Sequence, residues 1–220
     1  MKMQNMKIGI LGSGVVGQTL ADGFINKGYD TMIGTQHLER LKEWSEKTEK
    51  AKIGNFSETA AYGDLVVLAV KGIAAKDALI VAGAKNHKDK IIIDATNPIS
   101  DALPVNGVLK FFTSLDNSLM EQLQKAFPKA RFVKAFNSIG NAFMVNPNFG
   151  GIRPTMFICG NDEMAKKEVS RILDQFGFEV EDMGKAEAAR AIEPLCILWC
   201  IPGLLHNDWA HAFKLLKMVK

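Results

Sequence analysis

Cysteine is scarce in this chain: three in 220 residues. They cannot all pair with one another, so no disulfide framework is expected. Cys196 and Cys200 stand four apart with no second pair at zinc-site spacing, which argues against a structural metal centre. The cysteines read instead as small buried hydrophobes in a reducing cytoplasm. A strong charge of one sign is also absent. The net charge is +3, evenly spread, which argues against nucleic acid or an anionic membrane as partner. Long hydrophobic runs are missing too. The longest near the C-terminus, Leu195 to Ile201, falls short of the roughly 20 residues of a membrane helix, and Met1 to Asn5 is too short and polar for a secretory leader. No repeat or low-complexity tract interrupts the chain. The composition is that of an ordinary globular protein long enough to bury a proper core.

What is present is punctuated by short apolar runs: Ile8–Leu11, Thr31–Ile33, Leu65–Val70, Ile91–Asp94, Phe132–Phe136, Thr155–Cys159 and a weaker Glu179–Glu181. Near-continuous Val/Ile/Leu runs such as LVVLAV and IIID indicate strands covered on both faces, as in a parallel sheet. Helical spacing fills Val15–Asn26, Leu38–Lys50, Ala74–Ala82, Ser118–Phe127 and Glu163–Phe176. Ser118 with Glu121 fits a capping box, and Asp162 fits an N-cap. The alternation predicts an α/β fold, a Rossmann-type doubly wound and mostly parallel sheet. The expected division is a dinucleotide-binding domain over 1–140 and a smaller C-terminal lobe over 141–220. The segment from Asn97 to Thr113, with Pro98, Pro104 and Gly107, is long enough to be a lid or binding wall. Ala188 to Lys217 reads as apolar helix interrupted at Pro202-Gly203. Its content of Trp199, Leu204, Leu205, Trp209 and Phe213 suits either core packing or a homodimer interface that also walls a pocket.

The motif Gly12-Ser13-Gly14-Val15-Val16-Gly17 lies between the first strand and the first helix. Strand, G-x-G-x-x-G turn and helix form the dinucleotide-binding fingerprint, with the helix N-terminus facing a pyrophosphate. The second strand ends in Gly34-Thr35-Gln36-His37, with Arg40 a turn further on. No carboxylate stands there to bind a ribose 2′-hydroxyl, and Asp30 is about 15 Å away at the opposite end of the strand. Thr35 and Arg40 suit a 2′-phosphate, which favours NADP over NAD. Gln36 offers neutral hydrogen bonds, and His37 is either solvated or a phosphate contact. At the other strand ends stand Val70-Lys71, Asn97-Pro98 and Asn137-Ser138-Ile139, placed for the nicotinamide and its redox partner. No His/Asp or Lys/Tyr arrangement suited to protonating a carbonyl accompanies them, so no catalytic acid or base is assigned. His206 and His211 fall on different helix faces, and no metal site is assigned. Such a pocket suits direct hydride transfer between two bound cofactors.

The segments KIGILGSGVVGQTLADGFINKGYDTMIGT, IIIDATNPIS, FVKAFNSIGN, MFICGNDE and ARAIEPLCILW resemble the deazaflavin (coenzyme F420)-dependent NADP oxidoreductases over nearly the whole chain. A related domain forms the soluble part of six-transmembrane metalloreductases. The resemblance implies a commonly dimeric cytoplasmic enzyme that moves a hydride between NADP(H) and a deazaflavin. It implies that Gly12 through Gly17 hold the pyrophosphate and that Thr35 and Arg40 meet the 2′-phosphate. Val70, Lys71, Asn97, Pro98 and Asn137 to Ile139 would then line the nicotinamide and acceptor pocket. Gln36 departs from the arginine usual in the group. A flavin would serve the same chemistry as F420. Other readings are a non-catalytic NADP-binding redox sensor or partner subunit, and an imine or hydroxyacid reductase.

Overall fold

The computed structural model describes residues 6–218, so the expectation about Met1–Asn5 lies outside the described residues. In chain order the elements are β1 (Lys7–Leu11), α1 (Val15–Asn26), β2 (Asp30–Gly34), α2 (Lys42–Lys47), β3 (Lys52–Gly54), α3 (Phe56–Tyr62) and β4 (Leu65–Leu68). They continue with α4 (Ala75–Ala82), α5 (Ala84–His87), β5 (Ile91–Asp94), α6 (Leu119–Ala126), β6 (Arg131–Lys134), β7 (Thr155–Gly160) and α7 (Glu163–Phe176). The chain ends with β8 (Glu179–Asp182), α8 (Ala189–Ile192) and α9 (Leu195–His206). The eight strands form one sheet in the order β3-β2-β1-β4-β5-β6-β7-β8. Every neighbouring pair is parallel except β6 and β7. This is the expected doubly wound, mostly parallel α/β fold. β7 and β8, within 141–220, extend the same sheet.

The buried runs follow the alternation of a strand covered on both faces. Leu65 and Val67 pack with Ile8, Ile10, Ile33, Ile93 and Val133 on the face holding α1 and α7. Val66 and Leu68 face the other way, with Leu11, Ile92 and Phe132 against α4 and α6. Each such fully buried aliphatic or aromatic side chain contributes about 1.5–3 kcal/mol through removal from water. Helix α7 runs over the predicted range. Its Asp162 cap accepts from the Ala165 N–H at 2.7 Å, and it stops at Gly177, whose φ of 99° is left-handed. Helix α6 begins on the predicted capping box, with Ser118 and Glu121 bonded reciprocally.

Three expectations need correction. Leu38–Lys50 is a 3-10 turn over Leu38–Leu41 followed by α2, which ends at Lys47. The apolar C-terminal segment does not break at Pro202: α9 runs through it to His206. Helix α9 closes on Asn207 in the left-handed conformation (φ 56°), whose N–H donates to the Gly203 carbonyl at 2.9 Å. Asparagine tolerates that geometry better than most residues, and this is what ends the helix. Residues 207–218 are therefore not helical. They return along the sheet, with the Phe213 carbonyl accepting from Thr155 N–H at 2.9 Å. Lys214 and Lys217 meet Glu179 and Glu181. Finally, Ala186–His206 is a 21-residue helical stretch long and apolar enough, by length and composition, to cross a membrane. The run Leu195 to Ile201 had suggested nothing of that length. About a third of the stretch is buried in the fold.

Candidate functional site

Strand β1 has β2 on one side and β4 on the other, so the connections diverge from it in opposite directions. A crevice at the carboxyl ends of the strands is expected at that switch point. A cleft of about 680 Å³ lies there, lined by Gly12 through Val16, Thr35, Gln36, His37, Arg40, Val70 and Lys71. The structure thus brings eleven of the predicted residues together on one surface.

The glycines of the turn divide the work. Gly12 has φ 132°, and a Cβ there would sit 2.2 Å from the Ala69 carbonyl oxygen. A Cβ at Gly17 would sit 1.9 Å from the Gly12 carbonyl oxygen. Both positions serve close packing beneath the turn. Gly14 is different: no heavy atom lies within 4 Å of its virtual Cβ, and its φ of −75° is ordinary. Gly14 is the N-cap of α1, and no side chain caps that end. The first-turn N–H groups and the positive end of the helix are left for a ligand.

At the β2 exit, Thr35 is buried and its hydroxyl accepts from Ser13 Oγ at 3.0 Å and from the His37 N–H at 3.1 Å. It thereby ties the glycine turn to the β2 exit. Gln36, His37 and Arg40 stand exposed on the rim, with His37 3.4 Å from Glu39. Phe56, Ala74, Asp77 and Ala78 complete this part of the wall. Sequence reading missed them because α3 and α4 contribute single residues rather than a motif. The capping box Asn55/Glu58 was the available signal for α3. Asp77 places a carboxylate in the cleft, although none stands at the end of β2.

Asn97, Pro98, Asn137, Ser138 and Ile139 lie beyond the wall of this cleft, at the exits of β5 and β6. Asn97 Nδ2 donates to the Asn137 carbonyl at 2.8 Å, and Asn137 Nδ2 donates to the Ile192 carbonyl at 2.9 Å. Gly72 packs directly under this turn, where a Cβ would meet the Asn97 carbonyl oxygen at 2.0 Å. The β4 and β5 exits therefore form one block. Ile139 opens instead onto a neighbouring hollow of about 530 Å³, walled by Gly140, Phe143, Trp199, Asn207 and Trp209. Trp199 and Trp209 have ring centroids 5.5 Å apart, and Trp199 stacks on His211 at 5.0 Å. This aromatic hollow is assembled from residues distant in sequence.

The ionisable groups under the strand exits are engaged with one another. Lys134 Nζ lies 2.7 Å from Asp94 Oδ2 and 3.0 Å from Glu193 Oε1, all three side chains being buried. Burial opposes the charge on Lys134, but Asp94 and Glu193 outweigh it and hold its pKa above the ordinary lysine range. Burial pushes the nearby Cys159 thiol up to about 12. The three cysteines are free, and among the described residues no group of His, Cys, Asp and Glu is arranged to hold a metal ion.

A cleft at the switch point of a doubly wound sheet, with an uncapped glycine turn at its helix, defines a dinucleotide-binding protein. The family model of coenzyme F420-dependent NADP oxidoreductases matches residues 7–98. The crystal structure of a candidate F420-dependent NADP reductase from Arthrobacter sp. FB24 superposes with a TM-score of 0.90 at 32% identity, covering 97% of this chain and all of that one. The F420-dependent NADP reductase of Methanocaldococcus jannaschii is 28% identical over 202 residues, 86% of this chain and 89% of its own. The metalloreductase STEAP3 of Rattus norvegicus is 28% identical over 215 residues, 90% of this chain. The chain spans only 39% of that relative's length. The protein belongs to the F420-dependent NADP oxidoreductase family, a family of enzymes.

Proposed function

We propose that this protein transfers a hydride between NADP(H) and a flat-ringed acceptor, a deazaflavin such as coenzyme F420 or a flavin. The observation that carries the reading is the open, uncapped first turn of α1 at Gly14, facing the same cleft as Gln36 and Arg40. The N–H groups of that turn suit a pyrophosphate, and the Arg40 guanidinium suits the 2′-phosphate that distinguishes NADP from NAD. Thr35 fixes the turn by accepting two hydrogen bonds, and its O–H is left to donate to a phosphate oxygen. A dinucleotide so anchored carries its nicotinamide toward Val70, Lys71, Asn97, Pro98 and Asn137 to Ile139.

NADPH supplies the chemistry, a hydride equivalent to two electrons and one proton. The chain's residues bind, orient and exclude water. Asp94 and Lys134 are buried and paired, and neither is free to exchange a proton with a substrate. The second proton of a reduced acceptor comes from solvent. The aromatic hollow at Ile139, Trp199 and Trp209 is where we place the acceptor ring, which stacks on apolar and aromatic surface. Residues 141–220 would then act as the lobe that completes the pocket. Leu103 and Val105 on the long loop and Leu115 just beyond it, with Leu198 and Leu205 on α9, are exposed. We assign this apolar surface to a homodimer interface of a cytoplasmic enzyme.

The test is NADPH oxidation followed with F420, FMN, FAD and ferric chelates, together with NADPH and NADH affinities by fluorescence titration. Turnover with a deazaflavin or flavin, and NADPH bound more tightly than NADH, is expected. Tight NADPH binding with no turnover on any acceptor would replace the reading with that of a redox sensor.

A further inference from the structure

Four remote stretches of chain meet at one buried point beneath the strand exits. Lys134 ends β6. Its ammonium donates to the Thr96 carbonyl at 2.9 Å and is ion-paired with Asp94 Oδ2 at 2.7 Å and Glu193 Oε1 at 3.0 Å. Asp94 ends β5, and its other oxygen accepts from Thr96 N–H at 2.9 Å and Thr96 Oγ1 at 2.6 Å. Glu193 follows α8 and also accepts from the Leu119 and Met120 N–H groups, at 2.9 and 3.0 Å, at the start of α6. Each of these side chains is no more than 2% exposed.

A buried ion cluster of this kind is weak support for stability, because well-packed apolar residues of the same volume often do as well. What it can fix is geometry, and the geometry at this spot is unusual. Two residues beyond Lys134, Phe136 has φ 62°, a left-handed conformation that is unfavourable for a bulky side chain. The ring of Phe136 is buried against Phe176 and Phe178. The next residue, Asn137, is turned so that its amide reaches the Ile192 carbonyl, adjacent to Glu193. The β6 exit is therefore held in its strained turn from two sides, by Lys134 below and by the α8 end above. The same cluster pins Thr96, immediately before Asn97, through its N–H, hydroxyl and carbonyl.

We infer that Lys134 and Glu193 are positioning residues for the nicotinamide end of the site: with Asp94 they lock the Asn97 and Asn137 turns into register and dock the α8–α9 wall against them. Neither residue touches the cleft. The inference rests on the proposed placement of the nicotinamide at these turns; wild-type protein that binds NADPH no more tightly than 2′,5′-ADP would count against that placement, and the variants then test the positioning role.

The experiment measures dissociation constants for 2′,5′-ADP, which reports the adenosine and phosphate end alone, and for NADPH, which adds the nicotinamide. It compares wild type with Glu193→Gln, and with Lys166→Met as a control on a second buried lysine that belongs to a different ion cluster. Lys166 is paired with Asp182 and Glu163 on the α7–β8 side. Glu193→Gln is expected to leave 2′,5′-ADP affinity within about twofold and to weaken NADPH about tenfold, the factor that corresponds to losing one hydrogen bond at the nicotinamide end. Lys166→Met is expected to lower the melting temperature without separating the two ligands. If Glu193→Gln does not fold, the charge-free variant Asp94→Asn/Lys134→Met/Glu193→Gln takes its place, because it leaves no buried unpaired charge. Parallel weakening of both ligands, or wild-type affinity for NADPH in a folded variant, would overturn the inference. Absence of turnover in the wild type with every acceptor bears only on the proposed reaction, not on this comparison.

Discussion

Gly14 and Gly17 occupy the same motif, yet the structure assigns their substitution opposite consequences. A methyl group at Gly17 would lie 1.9 Å from a backbone oxygen. Either the turn or the helix shifts, at about 3 kcal/mol, the upper part of the range for overpacking. For a chain of this size that corresponds to a melting temperature lower by on the order of 6–12 °C. At Gly14 a side chain meets nothing, and the extended backbone (φ −75°, ψ 176°) accepts any residue. Gly14→Val should lose about 1 kcal/mol, for replacing glycine by an unfavourable N-cap residue. Its isopropyl group would stand in front of the first-turn N–H groups. Charge-assisted hydrogen bonds contribute about 1.5–3 kcal/mol each, so the loss of two weakens binding by at least about 100-fold. Calorimetric melting of the free protein and NADPH fluorescence titration measure the two effects separately. The pattern should cross over, with Gly17→Ala unstable and Gly14→Val stable but unable to bind. A Gly14→Val protein that binds NADPH within threefold of wild type would refute the placement of the pyrophosphate at this turn.

Three further outcomes are expected. Arg40→Ala should weaken NADPH about tenfold, the lower range for one exposed charge-assisted contact, while NADH affinity stays unchanged; equal losses for both would remove the 2′-phosphate from Arg40. The Arg190 guanidinium beside Glu121, with N–O distances of 2.6 to 3.1 Å, holds that carboxyl down at about 2. A depressed carboxylate stabilises the fold above its unfolded pKa, near 4.5, and loses this as pH falls toward 2. Melting of Glu121→Gln should therefore lie below wild type at pH 7, with the gap closing between pH 4.5 and 2; a gap independent of pH would mean the ion pair is not its origin. Trp209→Ala should raise the acceptor KM about fivefold, in keeping with the loss of one aromatic stacking contact, and leave the NADPH KM alone. An unchanged acceptor KM would move the acceptor out of the aromatic hollow.

The central sheet was legible because Leu65–Leu68 and Ile91–Ile93 are apolar at every position, which only a strand covered on both faces requires. The glycine motif and the α6 and α7 caps were legible for a similar reason, since each is local chemistry at fixed spacing. β3 escaped because Lys52-Ile53-Gly54 is a three-residue edge strand with two of its residues exposed and no periodicity to read. The course of the C-terminus escaped because the helix end is decided by Asn207 and not by Pro202. The aromatic hollow joins Ile139 to Trp209, and the Lys134 cluster joins residues from 94 to 193. Neither has any spacing in the sequence, because topology alone brings its parts together.

The returning C-terminal segment is fastened by two kinds of contact with different responses to solvent. Nearest α9 it is held by uncharged ones: Trp199 Nε1 donates to the His211 carbonyl at 2.9 Å, and the Phe213 carbonyl accepts from Thr155. Further out, Lys214 and Lys217 bind exposed or half-exposed carboxylates. Mobile ions weaken only the second kind, over a Debye length of about 8 Å at physiological ionic strength and less above it. Rising salt should therefore peel the segment inward from Lys217 and stop near Leu215, whose N–H donates to Thr155 Oγ1 at 3.0 Å, leaving Trp209 seated. The aromatic hollow would keep its wall in concentrated brine while the outer end of the strap swings free.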